Sequence, residues 1–194
     1  MMLNKAFWEE RYADGRTGWD IGYAAPALTA YADQLADPSL RILIPGAGNG
    51  YEAEYLWQQG FRNLTVLDIA RPPLEQLRAR VPEMPEIALV QTDFFAYAGG
   101  PFDLILEHTF FCALPPERRP DYARHMHGLL APGGKLAGLL FQFPLTEQGP
   151  PFGGAAAEYR EYFQEGFRIK VLETATNSIP PRAGNELFFI FEKQ

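Results

Sequence analysis

The stretch RILIPGAGNG, Arg41 to Gly50, limits what this chain can become more than any other. Ile42, Leu43 and Ile44 form a short apolar run that reads as a buried strand. Pro45 closes it, because proline has no N–H to give to a sheet ladder. Gly46, Gly48 and Gly50 then follow at alternate positions. Backbone without side chains can turn sharply there and come close to a ligand. Behind the glycines, YEAEYLWQQG reads as a helix that stops at Gly60. A strand, a glycine loop and a helix N-terminus in that order make a seat for a nucleotide-like group.

The spacing narrows the choice. The dinucleotide fingerprint G-x-G-x-x-G would put its third glycine at position 51, where this chain has Tyr51. The pattern present is G-x-G-x-G, which is similar to that of S-adenosylmethionine (SAM) methyltransferases. NLTVLDIA reads as the next strand and ends at Asp68, roughly 20 residues beyond the loop, where a carboxylate can accept from two ribose hydroxyls.

A chain of 194 residues has room for one domain with a full core, so we expect a single domain spanning 1–194. The net charge of −7, with no basic run, argues against nucleic acid or an anionic membrane as partner. A small-molecule substrate and a monomer or weak homodimer are expected instead. One cysteine, Cys112, cannot form an intramolecular disulfide. No apolar run approaches the ~20 residues of a membrane-spanning helix. MMLNKAFWEERYADG is charged and lacks the apolar centre of a signal peptide, so the expected compartment is cytoplasmic.

Read in order, Asn4 caps a first helix running to about Ala13, and Pro26 starts a second with Leu28, Tyr31, Ala32 and Leu35 as its apolar stripe. Residues 1–38 precede the first strand and are expected to cover the sheet. Pro72-Pro73 opens a helix ending near Val81. EIALVQTDFF and FDLILEHTFF read as the third and fourth strands, PPERRPDYARHMHGLL as a helix that Pro120 could divide, and KLAGLLFQF as the fifth strand. PLTEQGPPFGGAAA is the expected mobile lid. EYREYFQEGF reads as a short helix, and FRIKVLETAT and ELFFIFEK as two last strands. Only a loop joins this pair, so they should run antiparallel. The expected fold is α/β and Rossmann-like: a seven-stranded, mostly parallel sheet with a C-terminal antiparallel hairpin and helices on both faces. Ligands of such sheets lie beyond the carboxyl ends of the strands, the edge that carries Gly46 to Gly50, Asp68, Asp93-Phe94 and Glu107-His108.

Several residues suit a charged nucleotide-like ligand there. Asp93 can accept an adenine amino group and Phe94 can stack on the base. Trp8, Tyr12 and Trp19 present aromatic faces that attract a sulfonium cation. His108, after Glu107, can hold a substrate or move a proton near neutral pH. Arg182 can meet an anion. His125 and His127 share no helical face and have no metal-ligand spacing around them, so no metal is expected. Cys112, in TFFCAL, reads as a buried inert thiol.

The chain resembles the plant and bacterial thiol, thiocyanate and halide methyltransferases, a branch of the thiopurine methyltransferase superfamily. The segments that carry the resemblance are FWEERYADGRTGWDIGYAAP, LIPGAGNGYEA, VLDIA, TDFF, EHTFFCALPPERRPDYA, LLAPGGKL and SIPPRAGNE. The resemblance implies a class I methyltransferase fold with SAM as methyl donor and S-adenosylhomocysteine (SAH) as product. It implies cofactor contacts from Trp8, Tyr12, Trp19, Gly46, Asp68, Asp93 and Phe94, and the expected set of contacts extends to the neighbouring Ala47, Gly48, Gly50, Ile69 and Glu107. It implies that position 108 borders the acceptor pocket; the expected acceptor site is His108, Phe111 and Arg182, with His108 as the candidate proton acceptor for a neutral thiol. Two positions depart from the family. Tyr12 stands for a tryptophan, and His108 stands for a tyrosine common in the plant members.

The implied reaction moves a methyl group to a thiol, bisulfide, thiocyanate or halide. Thiopurines and selenium or tellurium species are the alternative acceptors. A nicotinamide oxidoreductase is a rival from another class, against which Tyr51 argues. A non-catalytic SAM-binding protein is a further rival.

Overall fold

The computed structural model describes residues 3–194. Its centre is a sheet of seven strands in the order β3-β2-β1-β4-β5-β7-β6. The strands are β1 (Ile42–Pro45), β2 (Leu64–Asp68), β3 (Leu89–Gln91), β4 (Phe102–His108), β5 (Leu130–Phe141), β6 (Phe167–Thr174) and β7 (Glu186–Lys193). β1, β2, β3, β4 and β5 pair in parallel, and β7 runs antiparallel to both β5 and β6. The expected terminal hairpin is therefore present.

Alternation along each strand sends side chains to two separate cores. Ile42 and Ile44 of β1 join Val66, Leu104 and Leu106 on one face, against Leu28, Leu56, Leu74 and Leu77. These come from the helices α2 (Pro26–Ala32), α3 (Tyr51–Gln58) and α4 (Arg71–Arg80). Leu43 faces the other way with Leu67, Ile105 and Leu136, against Tyr122, Met126, Tyr159 and Phe163. Those belong to α5 (Arg119–Leu129) and α6 (Ala156–Phe163). Each fully buried side chain of this size contributes about 1.5–3 kcal/mol.

The first helix, α1 (Lys5–Ala13), buries none of its residues. Asn4 caps it as expected, its side chain accepting from the Phe7 N–H at 3.1 Å. It lies against α4, where the Arg71 N–H approaches Glu9 at 3.4 Å.

Several boundaries differ from expectation. α2 ends at Ala32, so Leu35 lies beyond it and is only half-buried. EIA forms a 3-10 turn and only Leu89–Gln91 pair as strand, because β3 is an edge with a single neighbour. β5 begins at Leu130, so the Pro132-Gly133-Gly134 stop lies within it as a shift of register against β4. Pro120 falls in the first turn of α5, where its missing N–H costs nothing, and does not divide the helix. The expected lid is tethered: Phe143 and Gly154 form a β-bridge, and the Phe152 N–H donates to the Cys112 carbonyl at 2.7 Å.

Candidate active site

The chain crosses from β1 to β2 on one side of the sheet, while β4 flanks β1 on the other. The carboxyl ends part there, and a cavity of about 710 Å³ lies beyond them. Trp8, Tyr12, Trp19, Gly46, Gly48, Asp68, Ile69, Asp93, Phe94 and Arg182 all line it.

The glycine loop is shaped by what comes down on it. Gly46 has φ +56°, and a Cβ there would stand 2.2 Å from the Phe110 ring. Gly48 has φ +54°, and a Cβ there would stand 3.5 Å from the Tyr12 hydroxyl and 3.7 Å from Trp19 Nε1. The N-terminal aromatics therefore close over the loop itself. Trp19 meets Trp8 and Tyr12 edge-on, with ring centroids 5.5 Å and 5.6 Å apart.

Asp68 ends β2 and accepts the Gly48 N–H at 2.9 Å and the Ala70 N–H at 2.8 Å. Burial pushes its carboxyl up to about 6, against the pull of those N–H groups. Asp93 accepts the Phe95 N–H at 2.8 Å and holds the turn that follows β3. Phe94 lines the cavity from the core: it is buried, with Phe110 and His125 edge-on to its ring at 5.1 Å and 4.6 Å. Phe95 is more open and carries the Arg118 guanidinium 3.9 Å above its face.

Five expected contacts lie elsewhere. Gly50 is buried at the start of α3, where its missing side chain makes room for Leu77. Ala47 donates its N–H to the Leu67 carbonyl at 3.0 Å and lines a separate small recess. Glu107 is fully buried and accepts from Tyr122 Oη at 2.6 Å and from the Phe110 and Phe111 N–H groups at 2.8 Å and 3.0 Å. Its carboxylate caps the turn after β4 and does not reach the cavity; burial raises its proton affinity. Phe111 is buried among Tyr122, Tyr159 and Phe163.

His108 also lines the small recess and not the main cavity. Its Nδ1 lies 3.0 Å from Glu52 Oε1, and its Nε2 lies 3.2 Å from Arg182 Nη1. Burial lowers its proton affinity, but the Glu52 carboxylate outweighs this and raises it.

The cavity also has a lining that motif reading missed: Arg11, Phe95, Thr109, Phe110, Arg118, Pro150 and Pro151. Thr109 has φ 57°, a left-handed conformation that a β-branched residue adopts only under constraint. The next two residues, Phe110 and Phe111, are held by their N–H groups to Glu107. Cys112 is buried, as expected, but lines the cavity wall, its Sγ donating to the Thr109 carbonyl at 3.3 Å. His125 and His127 lie on α5, edge-on to Phe94 and Phe167. Among the described residues no cluster of His, Cys, Asp or Glu could hold a metal ion. No helix among them is long and apolar enough to cross a membrane.

A buried carboxylate at the end of β2, a glycine loop and an aromatic cover fit a nucleoside sulfonium. The family model for thiopurine S-methyltransferase (TPMT) matches residues 3–193. The chain belongs to this family. As a member it is a SAM-dependent methyltransferase. The methyltransferase is 32% identical over 184 residues to "Probable thiol methyltransferase 2" of Arabidopsis thaliana, covering 92% of this chain and 81% of that one. It is 33% identical over 184 residues to "Thiocyanate methyltransferase 1" of Brassica oleracea, with the same coverage. In fold it matches the Burkholderia thailandensis 1,6-didemethyltoxoflavin-N1-methyltransferase, solved with SAH bound, at TM-score 0.81 and 22% identity over 98% of this chain and 87% of that one.

Proposed function

We propose that this methyltransferase alkylates a small soft nucleophile, a thiol, bisulfide, thiocyanate or halide. The cavity has two ends. Over β2 and β3, Asp68 is suited to the ribose of SAM, and Asp93 with the Phe94-Phe95 pair to its base. Trp8, Tyr12 and Trp19 stand over the glycine loop, where their faces suit the sulfonium. From the end of β5, the turn before β7 and the segments after β4 and β5, the lining takes Phe141, Arg182, Cys112, Leu114, Pro150 and Pro151.

That side carries the reading: apolar side chains with the Arg182 guanidinium among them. Arg182 stacks over Phe141 with its Cζ 5.5 Å from the ring centroid, and Glu186 lies 3.4 Å from its Nη1. Glu186 tempers the positive charge, which suits a monoanion or a thiol better than a dianion. Bound SAM supplies a methyl group activated by a sulfonium. The protein's part is to hold the nucleophile in line and to keep water away. A soft anion needs no base, and no histidine or lysine stands among the residues that line this cavity. The names of the two plant relatives support this acceptor class.

The test is a headspace assay with SAM and a panel of small thiols, bisulfide, thiocyanate and iodide. Methylated volatiles from at least one are expected. Silence across the panel, with turnover of a thiopurine or a selenium or tellurium species, would replace this reading.

A further inference from the structure

Four polar groups, Glu52 and Glu186 buried and His108 and Arg182 half-buried, lie behind the glycine loop, outside the main cavity except for Arg182. Glu52 on α3 accepts the Ala25 N–H at 3.0 Å and faces His108 Nδ1. His108 Nε2 faces Arg182 Nη1, and Arg182 Nη2 donates to the Trp19 carbonyl at 2.8 Å. Glu186 on β7 completes the set beside Arg182. Glu52, Glu186 and His108 are all largely shielded from water, so each contact matters more than it would on the surface.

The protons follow from the chemistry. A guanidinium has only donors, so Arg182 Nη1 must donate and His108 Nε2 must accept. The imidazole proton then sits on Nδ1 and goes to Glu52. With one nitrogen already accepting and the other already protonated, His108 has no free lone pair for a substrate.

We infer that Glu52, His108 and Arg182 form a buckle that fastens Trp19, and with it the aromatic cover, across the cofactor seat. His108 is a positioning residue in this arrangement. The inference rests on the cofactor seat proposed above. The buckle joins α3, the end of β4 and the turn before β7 to the N-terminal segment, so the cover is held from three elements at once. It also has an acid limit. A second proton on His108 sets Nε2–H against the Arg182 guanidinium, two donors facing each other. The charged groups around His108 are Glu52 on α3, Arg182 in the turn, Glu186 on β7 and its own neighbour Glu107 on β4, and Glu52 makes that second proton easier to take up.

Calorimetry with SAH and acrylamide quenching of tryptophan fluorescence test this, in a Trp57→Phe background that leaves Trp8 and Trp19 as reporters. His108→Ala and Arg182→Met should each weaken SAH binding by about tenfold and expose the tryptophans, as loss of a charged hydrogen bond implies. The double variant should be no worse than the weaker single, because both break one unit. His108→Gln, whose amide oxygen can still accept from Arg182, should restore most of the affinity. Quenching in the free protein should rise on acidification with His108 present and much less with His108→Gln. Unchanged affinity and quenching in His108→Ala, or additive losses in the double variant, would overturn the buckle. Should His108→Ala not fold, Arg182→Met carries the same affinity and quenching readouts. If the parent protein bound no SAH, the cofactor seat itself would fail instead.

Discussion

Arg182 Nη2 donates to the main-chain carbonyl of Trp19 at 2.8 Å, across 163 positions of sequence. The C-terminal hairpin thus holds the N-terminal cover, and the site is complete only when both ends of the chain are folded. Trp19 belongs to neither core. Trp19→Ala should therefore weaken SAM binding by about tenfold, through loss of an aromatic face toward the proposed position of the sulfonium, while moving the melting point little. Parallel calorimetry and thermal melts check this.

Asp68 should set an acid limit on cofactor binding. Its carboxyl sits at about 6 in the free protein, because burial penalises the charge. Protonation there stabilises the free protein as the pH falls through about 6, whereas in the proposed cofactor seat the ribose hydroxyls would need the ionised form as acceptor. SAH affinity should fall by up to about tenfold per unit below that point. Measuring it in the His108→Gln background keeps the buckle from contributing to the profile. Asp68→Asn should bind weakly and lose this acid limb.

Gly46→Ala should damage both fold and site. The new methyl would meet the Phe110 ring at 2.2 Å on backbone at φ +56°. A loss of about 2 kcal/mol or more is expected, a drop of roughly 4–8 °C in melting point. Displacement of Phe110, which lines the cavity, should also lower SAH affinity.

Tyr122→Phe removes the one side-chain hydroxyl that serves the buried Glu107. It should destabilise the protein by about 1–3 kcal/mol. Burial already raises the proton affinity of Glu107, and without its donor the ionised form suffers most. The deficit should be greatest at high pH and shrink as Glu107 takes up a proton on acidification. Denaturant midpoints across pH measure this.

Arg119 is fully buried, donates to the Gly153 carbonyl at 2.7 Å and pairs with Glu158 at 2.8 Å. It anchors the far end of the proline-rich segment whose Pro150 and Pro151 line the cavity. Arg119→Met should cost about 3 kcal/mol and speed proteolysis between residues 144 and 151. Cleavage rates under native conditions report the second effect separately from global unfolding.

The local signals in the sequence were enough for the order of elements, the parallel sheet, the terminal hairpin and the edge that carries Gly46, Gly48, Asp68 and Asp93. Each depends on neighbours in sequence: alternation along a strand, a cap, a glycine with no side chain, a loop too short for a crossover. Tertiary structure decided what the long-range contacts do. His108 and Glu107 stand side by side at the end of β4, so sequence put both at the site. The fold instead turned Glu107 under Tyr122 and His108 back toward Glu52, because successive residues of a strand point to opposite faces. Gly50 and Phe111 likewise served packing, against Leu77 and Tyr159, partners distant in sequence. Arg182 could not be told from a solvated surface arginine until the sheet brought it to Trp19, since a contact across 163 residues leaves no local pattern to read.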